Sequence, residues 1–103
     1  MNIRELQKEL YENHKVKGYV ENFNSHGKMG DIAELGLIIT EVSEAIEEIR
    51  KPKNDRDHLA EECVDIIIRT LNFMSRKGFD IEIALYLKSK INEKREWLHG
   101  KEV

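Results

Sequence analysis

Two pairs of acids carry the residue types and spacing best suited to chemistry. Glu41 and Glu44 stand three residues apart, and after a gap of seventeen residues Glu62 and Asp65 repeat that spacing. On a helix, positions three apart share a face, so each pair presents two carboxylates to one site. Glu34, Glu48 and Glu61 lie close by in sequence. A lone pair of acids three apart is ordinarily a solvated helix face. These two pairs differ because each is set in strongly apolar sequence. Leu37, Ile38, Ile39 and Thr40 precede Glu41, and Ile66, Ile67 and Ile68 follow Asp65. Like charges gathered beside a core are costly unless a cation neutralises them. An all-oxygen donor set suits a hard cation, Mg²⁺ or Mn²⁺, better than zinc or copper.

Competing sites find little support. A di-iron carboxylate bundle expects Glu-x-x-His on two helices, and His14, His26, His58 and His99 offer no such motif. One cysteine and unpaired histidines do not make a zinc site. No glycine-rich phosphate loop and no G-x-S-x-G elbow occurs. Cys63 falls on an apolar helical face, so a packing role is expected for it rather than a nucleophilic one.

A carboxylate-held Mg²⁺ keeps positions for water and substrate phosphates, and phosphates call for Lys and Arg donors. Arg69 and Asn72 follow Asp65 by four and seven residues and share its face. Lys88, Asn92, Arg95 and His99 form a polar stripe at 4-3-4 spacing. Lys17, Gly18 and Tyr19 offer a cation and a ring, and Trp97, the one tryptophan, can stack on a base or simply pack. Spacing alone leaves all of these equally compatible with an ordinary helix surface or turn.

Four helices must position these residues. The first runs from about Asn2, a plausible cap, to Lys17, with Ile3, Leu6, Leu10 and His14 at helical spacing. Gly18 to Gly30 reads as a loop. The second helix spans about Asp31 to Arg50, with Ile32, Leu35, Ile39, Val42, Ile46 and Ile49 as an unbroken 3-4-3-4-3 stripe. Pro52 forbids continuation through the polar connector Lys51 to Asp57. The third helix covers about Arg56 to Lys77, with Leu59, Cys63, Ile66, Thr70 and Phe73 on one face and Gly78 closing it. The fourth covers about Asp80 to His99, through Ile81, Ala84, Leu87, Ile91, Arg95 and Leu98. A short polar connector favours antiparallel packing of the second and third helices, which lets the four acids converge.

With 103 residues the chain reads as one domain, 1–103. Seventeen Lys+Arg against twenty Asp+Glu give a formal charge of −3, which argues against a general nucleic-acid binder. No apolar run approaches a membrane span and no signal-peptide core is present, so a cytoplasmic protein without membrane attachment is expected. The second and third helices are apolar on several sides, more than four short helices can cover. A homodimer or tetramer that packs these helices against their mates is therefore expected.

Glu41-x-x-Glu44, the gap, and Glu62-x-x-Asp65 together resemble the divalent-metal motif of the MazG-like nucleotide pyrophosphohydrolases, within the all-α NTP pyrophosphatases. LIITEVSEAIEEIR looks like that family's metal helix and HLAEECVDIIIRTLN like its partner. HKVKGY looks like its first loop, and KINEKREWLHGK is similar to a K-x-x-N-x-x-R-P-Y-x-H-G-K ending. The resemblance implies an all-α four-helix MazG-like bundle completed by homo-oligomerisation. It also implies Mg²⁺-dependent, or Mn²⁺-dependent, cleavage of a nucleoside triphosphate between the α and β phosphates. Glu41, Glu44, Glu62 and Asp65 then hold the metal, with Glu44 and Glu62 as catalytic candidates and Glu48 or Glu61 as other proton acceptors. Lys17, Arg69, Asn72, Lys90, Asn92, Arg95, Trp97 and His99 are the implied substrate contacts. Three departures stand out. Thr40 replaces the first acid of E-E-x-x-E, Glu96 stands where proline is frequent, and the tail lysine is Lys90, with Lys88 as a second candidate. The loss at position 40 keeps a second reading open, a catalytically inert helical module that binds a partner or senses nucleotides.

Overall fold

The computed structural model describes residues 1–53 and 55–95, and all its regular structure there is helical. Five helices follow one another: α1 (Ile3–Val16), α2 (Tyr19–Asn24), α3 (Gly27–Arg50), α4 (Arg56–Arg76) and α5 (Ile81–Lys94). Local chemistry sets most of their ends. Asn2 caps α1 through a reciprocal box with Glu5, its side chain accepting from the Glu5 N–H at 2.9 Å. Asp55 accepts from the N–H groups of Asp57 and His58 to start α4, and Asp80 does the same for Glu82 and Ile83 at α5. Gly78, at φ +80°, ends α4: its N–H returns to the Ser75 carbonyl and that of Phe79 to Met74. This paired return is the Schellman closure that a left-handed glycine permits.

The segment expected to be a loop, Gly18 to Gly30, holds α2 and the first turn of α3 instead. α2 buries Val20 and Phe23. α3 begins four residues before the expected Asp31 cap. Gly30 lies inside it, where a Cβ would run into the Phe23 backbone carbonyl. Its role is to let α2 and α3 cross closely, not to break a helix. At the other end, α5 stops at Lys94 with Arg95 extended. The remainder of the expected fourth helix, to His99, lies outside the described residues.

α3 and α4 form the central pair, with α1 against α4, α2 against α3, and α5 mainly against α1. Buried Gln7 ties three of these together. Its amide donates to Ser75 Oγ at 2.9 Å and to the Phe79 carbonyl at 2.8 Å, and its oxygen accepts from the Ile81 N–H at 3.0 Å. Arg4 adds ion pairs to Asp80 and Glu82 at 2.8 and 2.9 Å.

The 3-4-3-4-3 apolar stripe of α3 points outward. Ile32 and Ile39 are 61% and 69% exposed, and Leu35, Val42, Ile46 and Ile49 are exposed with them. Cys63, expected to pack, is exposed as well. The face of α3 turned toward the rest of the chain is the one that carries Glu34, Glu41, Ala45 and Glu48, all buried. Periodicity reveals a stripe but not which surface will cover it. Here α4 offers arginines to the acidic face, and the apolar face is left uncovered by the described residues.

Candidate metal centre

Two ion pairs fix the register of the central helices. Arg76 Nε donates to Glu34 Oε1 at 2.6 Å, and Arg69 Nε donates to Glu41 Oε1 at 2.8 Å. Both helices advance seven residues between these rungs, in opposite senses, as an antiparallel pair must. The next step along the same register sets Glu48 across from Glu62, so the cation that α4 supplied twice becomes a third acid. Glu48, still buried, draws Lys51 back from the connector, with Nζ–Oε2 at 2.9 Å, while His58 Nδ1 stands 3.6 Å from its other oxygen. Bonding to Glu48 is the main reason the Lys51 ammonium is pushed above its ordinary range.

Where the arginines run out, acids gather. One carboxylate oxygen from each of Glu41, Glu62 and Asp65 falls within 4.8 Å of the others. Glu41 is buried, Glu62 half-buried and Asp65 exposed, which opens the trio to solvent on one side. Glu62 Oε2 is buried without any hydrogen-bond partner. A buried anionic oxygen without a partner is costly, and a cation is what would relieve it. Glu44 adjoins the trio without joining it: the charge of Glu41, and then that of Glu62, pushes its carboxyl above the usual glutamate range. Three carboxylates with an open side suit an oxygen-seeking cation that keeps some of its waters, so the donor chemistry fits Mg²⁺ or Mn²⁺. Thr40, standing where a further acid was looked for, donates to the Gly36 carbonyl of its own helix at 3.3 Å.

The other expected contacts scatter. Arg69 is bonded to Glu41. Asn72 is buried between the positions of the two arginines, its Oδ1 unpartnered. Lys17 caps the end of α1. Lys90 pairs with Glu93 at 3.5 Å and lies over the Tyr86 ring. Asn92 is exposed on the last turn of α5 and Arg95 is exposed just beyond it, and α5 packs mainly on α1. Glu61 is exposed. Trp97 and His99 lie outside the described residues.

A second polar cluster was not anticipated from spacing. Buried Arg76 reaches Glu34, Asp31 (2.5 Å) and Asn24 (2.8 Å), and it lies over the rings of both Phe23 and Phe73. Lys77 also holds Asp31, and these bonds, that of Lys77 foremost, draw the Asp31 carboxyl below its ordinary range. His14 stacks on Tyr19 at 5.1 Å, its Nε2 buried 3.6 Å from Glu34 and without a hydrogen bond. Burial lowers its pKa despite Glu34. The sequence did contain the signal: Glu34, Glu41 and Glu48 recur every seven residues, as Arg69 and Arg76 do.

A fold whose described residues are all-helical, with an acidic cluster between two antiparallel helices, is thus the class that fold and site define. Residues 32–99 match the family model of the MazG nucleotide pyrophosphohydrolase domain. The chain belongs to that family. No curated protein and no solved structure matches it.

Proposed function

We propose that the chain is a divalent-metal-dependent nucleoside triphosphate pyrophosphohydrolase. It cleaves a (d)NTP between the α and β phosphates, yields the monophosphate and pyrophosphate, and serves nucleotide-pool housekeeping in the cytoplasm. The observation that carries this reading is the gathering of Glu41, Glu62 and Asp65, with one Glu62 oxygen buried and without a hydrogen bond. Those three residues, with Glu44 beside them, would hold Mg²⁺ or Mn²⁺. A bound ion of this kind supplies charge neutralisation for phosphate oxygens and lowers the pKa of water. Glu44 is the proton acceptor we favour, because it adjoins the three gathered acids on the same helix as Glu41 and is exposed to solvent. The phosphates belong at this end.

We also infer that a second copy of the chain covers the α3 stripe. Total accessible surface is 8119 Å², where a compact monomer of this mass exposes roughly 6,000 Å². Even half of that excess exceeds the ~800 Å² that each partner of a stable complex buries. The radius of gyration, 16.3 Å, likewise exceeds the ~13 Å of a compact domain of this length.

The deciding experiment incubates purified protein and Mg²⁺ with a panel of NTPs and dNTPs, resolving the products by chromatography. Monophosphate plus pyrophosphate, lost with EDTA and in Glu62→Gln, is the expected result. Diphosphate plus phosphate would refute the cleavage position. No turnover with either Mg²⁺ or Mn²⁺ would favour the inert module.

A further inference from the structure

Arg69 sits where its sequence spacing suggested a phosphate donor, yet its Nε is committed to Glu41 at 2.8 Å. Glu41 is one of the three gathered carboxylates and the most buried of them. Its side chain is 10% exposed, against 36% for Arg69. That asymmetry matters, because Arg69 can act on an incoming cation in two opposed ways. Its positive charge repels the ion, but the charge is partly exposed and therefore screened. Its hydrogen bond holds Oε1 of a buried carboxylate, which fixes the plane of the group and with it the direction of the second oxygen. Without that bond, Glu41 would keep no cationic partner among the described residues, beside the like charges of Glu62 and Asp65.

We propose that Arg69 is a positioning residue for the divalent cation, anchoring Glu41 through Oε1 so that its second oxygen is presented to the ion. The inference rests on the metal reading above. Charge-assisted bonds to a planar guanidinium are directional, and partners that orient metal ligands typically govern affinity by 10- to 100-fold. The pair at Arg76 and Glu34 sets the two tasks apart. There the second acid, Asp31, is itself bonded to Arg76 and Lys77, so that rung holds helices together. Glu62 and Asp65 beside the Arg69 rung have no such cation among the described residues, and the pair also aims a ligand.

The test titrates Mn²⁺ into the full chain and reads free Mn²⁺ by electron paramagnetic resonance, for the parent, Arg69→Gln and Arg69→Lys. Thermal melts without metal establish that each variant is folded. The expected order of affinity is parent, then Lys, then Gln, with Gln weaker than the parent by about 10-fold or more. Lysine keeps the charge but not the fixed N–H geometry, so it recovers only part. Arg69→Gln binding Mn²⁺ as tightly as the parent, or more tightly, overturns the proposal. If the Gln variant does not fold, parental affinity in Arg69→Lys overturns it. A parent that binds no Mn²⁺ removes the metal reading itself, a failure distinguishable because it does not depend on the variants.

Discussion

Replacing Ile39 by serine separates two opposite accounts of the α3 stripe. Ile39 is 69% exposed in the single chain, so little of its burial energy is realised there. Fully burying an isoleucine is worth about 1.5–3 kcal/mol, which leaves about 1–2 kcal/mol to be gained when a partner covers the exposed part. In a two-fold dimer every substitution occurs twice, and the loss becomes about 2–4 kcal/mol. That raises the dimer Kd by roughly 30- to 1,000-fold. Sedimentation equilibrium over a wide concentration range measures it directly. The dissociated chain should keep the helical circular dichroism of the parent chain at equal dilution, because the substitution removes almost no contact within the chain. If Ile39 were instead a core residue of the monomer, Ile39→Ser would destabilise the fold equally at all concentrations. A concentration-independent loss of stability, or an unchanged Kd, refutes the reasoning.

Arg76→Met removes the buried partner of Glu34 and should cost about 3–5 kcal/mol, read by denaturant unfolding, because it leaves an uncompensated buried charge. Gly30→Ala should destabilise by about 1–3 kcal/mol, since the added methyl must push the Phe23 carbonyl away; a neutral result would show that α2 yields freely. His14 has its pKa lowered in the folded chain, chiefly by burial, from an ordinary value of 6.5. Below that pH the unfolded chain takes up the proton first, so stability should fall as pH drops from 6.5 toward the lowered folded value, then level off. His14→Gln should remove that slope in urea titrations at successive pH values, and an unchanged slope would count against the buried neutral imidazole.

How much of this was legible in sequence depends on whether a feature is settled locally. The Asn2–Glu5 box, the Asp80 cap and the stop at Pro52 need only neighbouring residues, and the helix ends they set came out close to expectation. Gly18 to Gly30 misled because glycine has two uses. Gly18 does take a left-handed turn, at φ +84°, but Gly30 serves a close helix crossing that no local pattern announces. The pairing of Glu41 with Glu62 and Asp65 was legible because two i,i+3 acid pairs on antiparallel helices have few other places to go. The employment of Arg69 was not, since spacing alone shows a cation on the right face and leaves open whether it meets a substrate or a ligand.

The direction of the α3 stripe has the same origin. A helix with one apolar stripe and one acidic stripe must choose which to turn inward, and hydrophobicity alone would choose the first. The choice is reversed by α4, whose arginines at 69 and 76 match the seven-residue spacing of the acids across the antiparallel register. Each acid buried this way needs its own cation, and two receive one from α4. At Glu48 the supply fails: Lys51 folds back to serve it, while Glu62, its counterpart across the register, keeps an oxygen with no partner. Acids turned inward thus create both features on which the proposed function rests. They leave an acidic cluster between the helices, and among the described residues they leave the isoleucines of α3 outside.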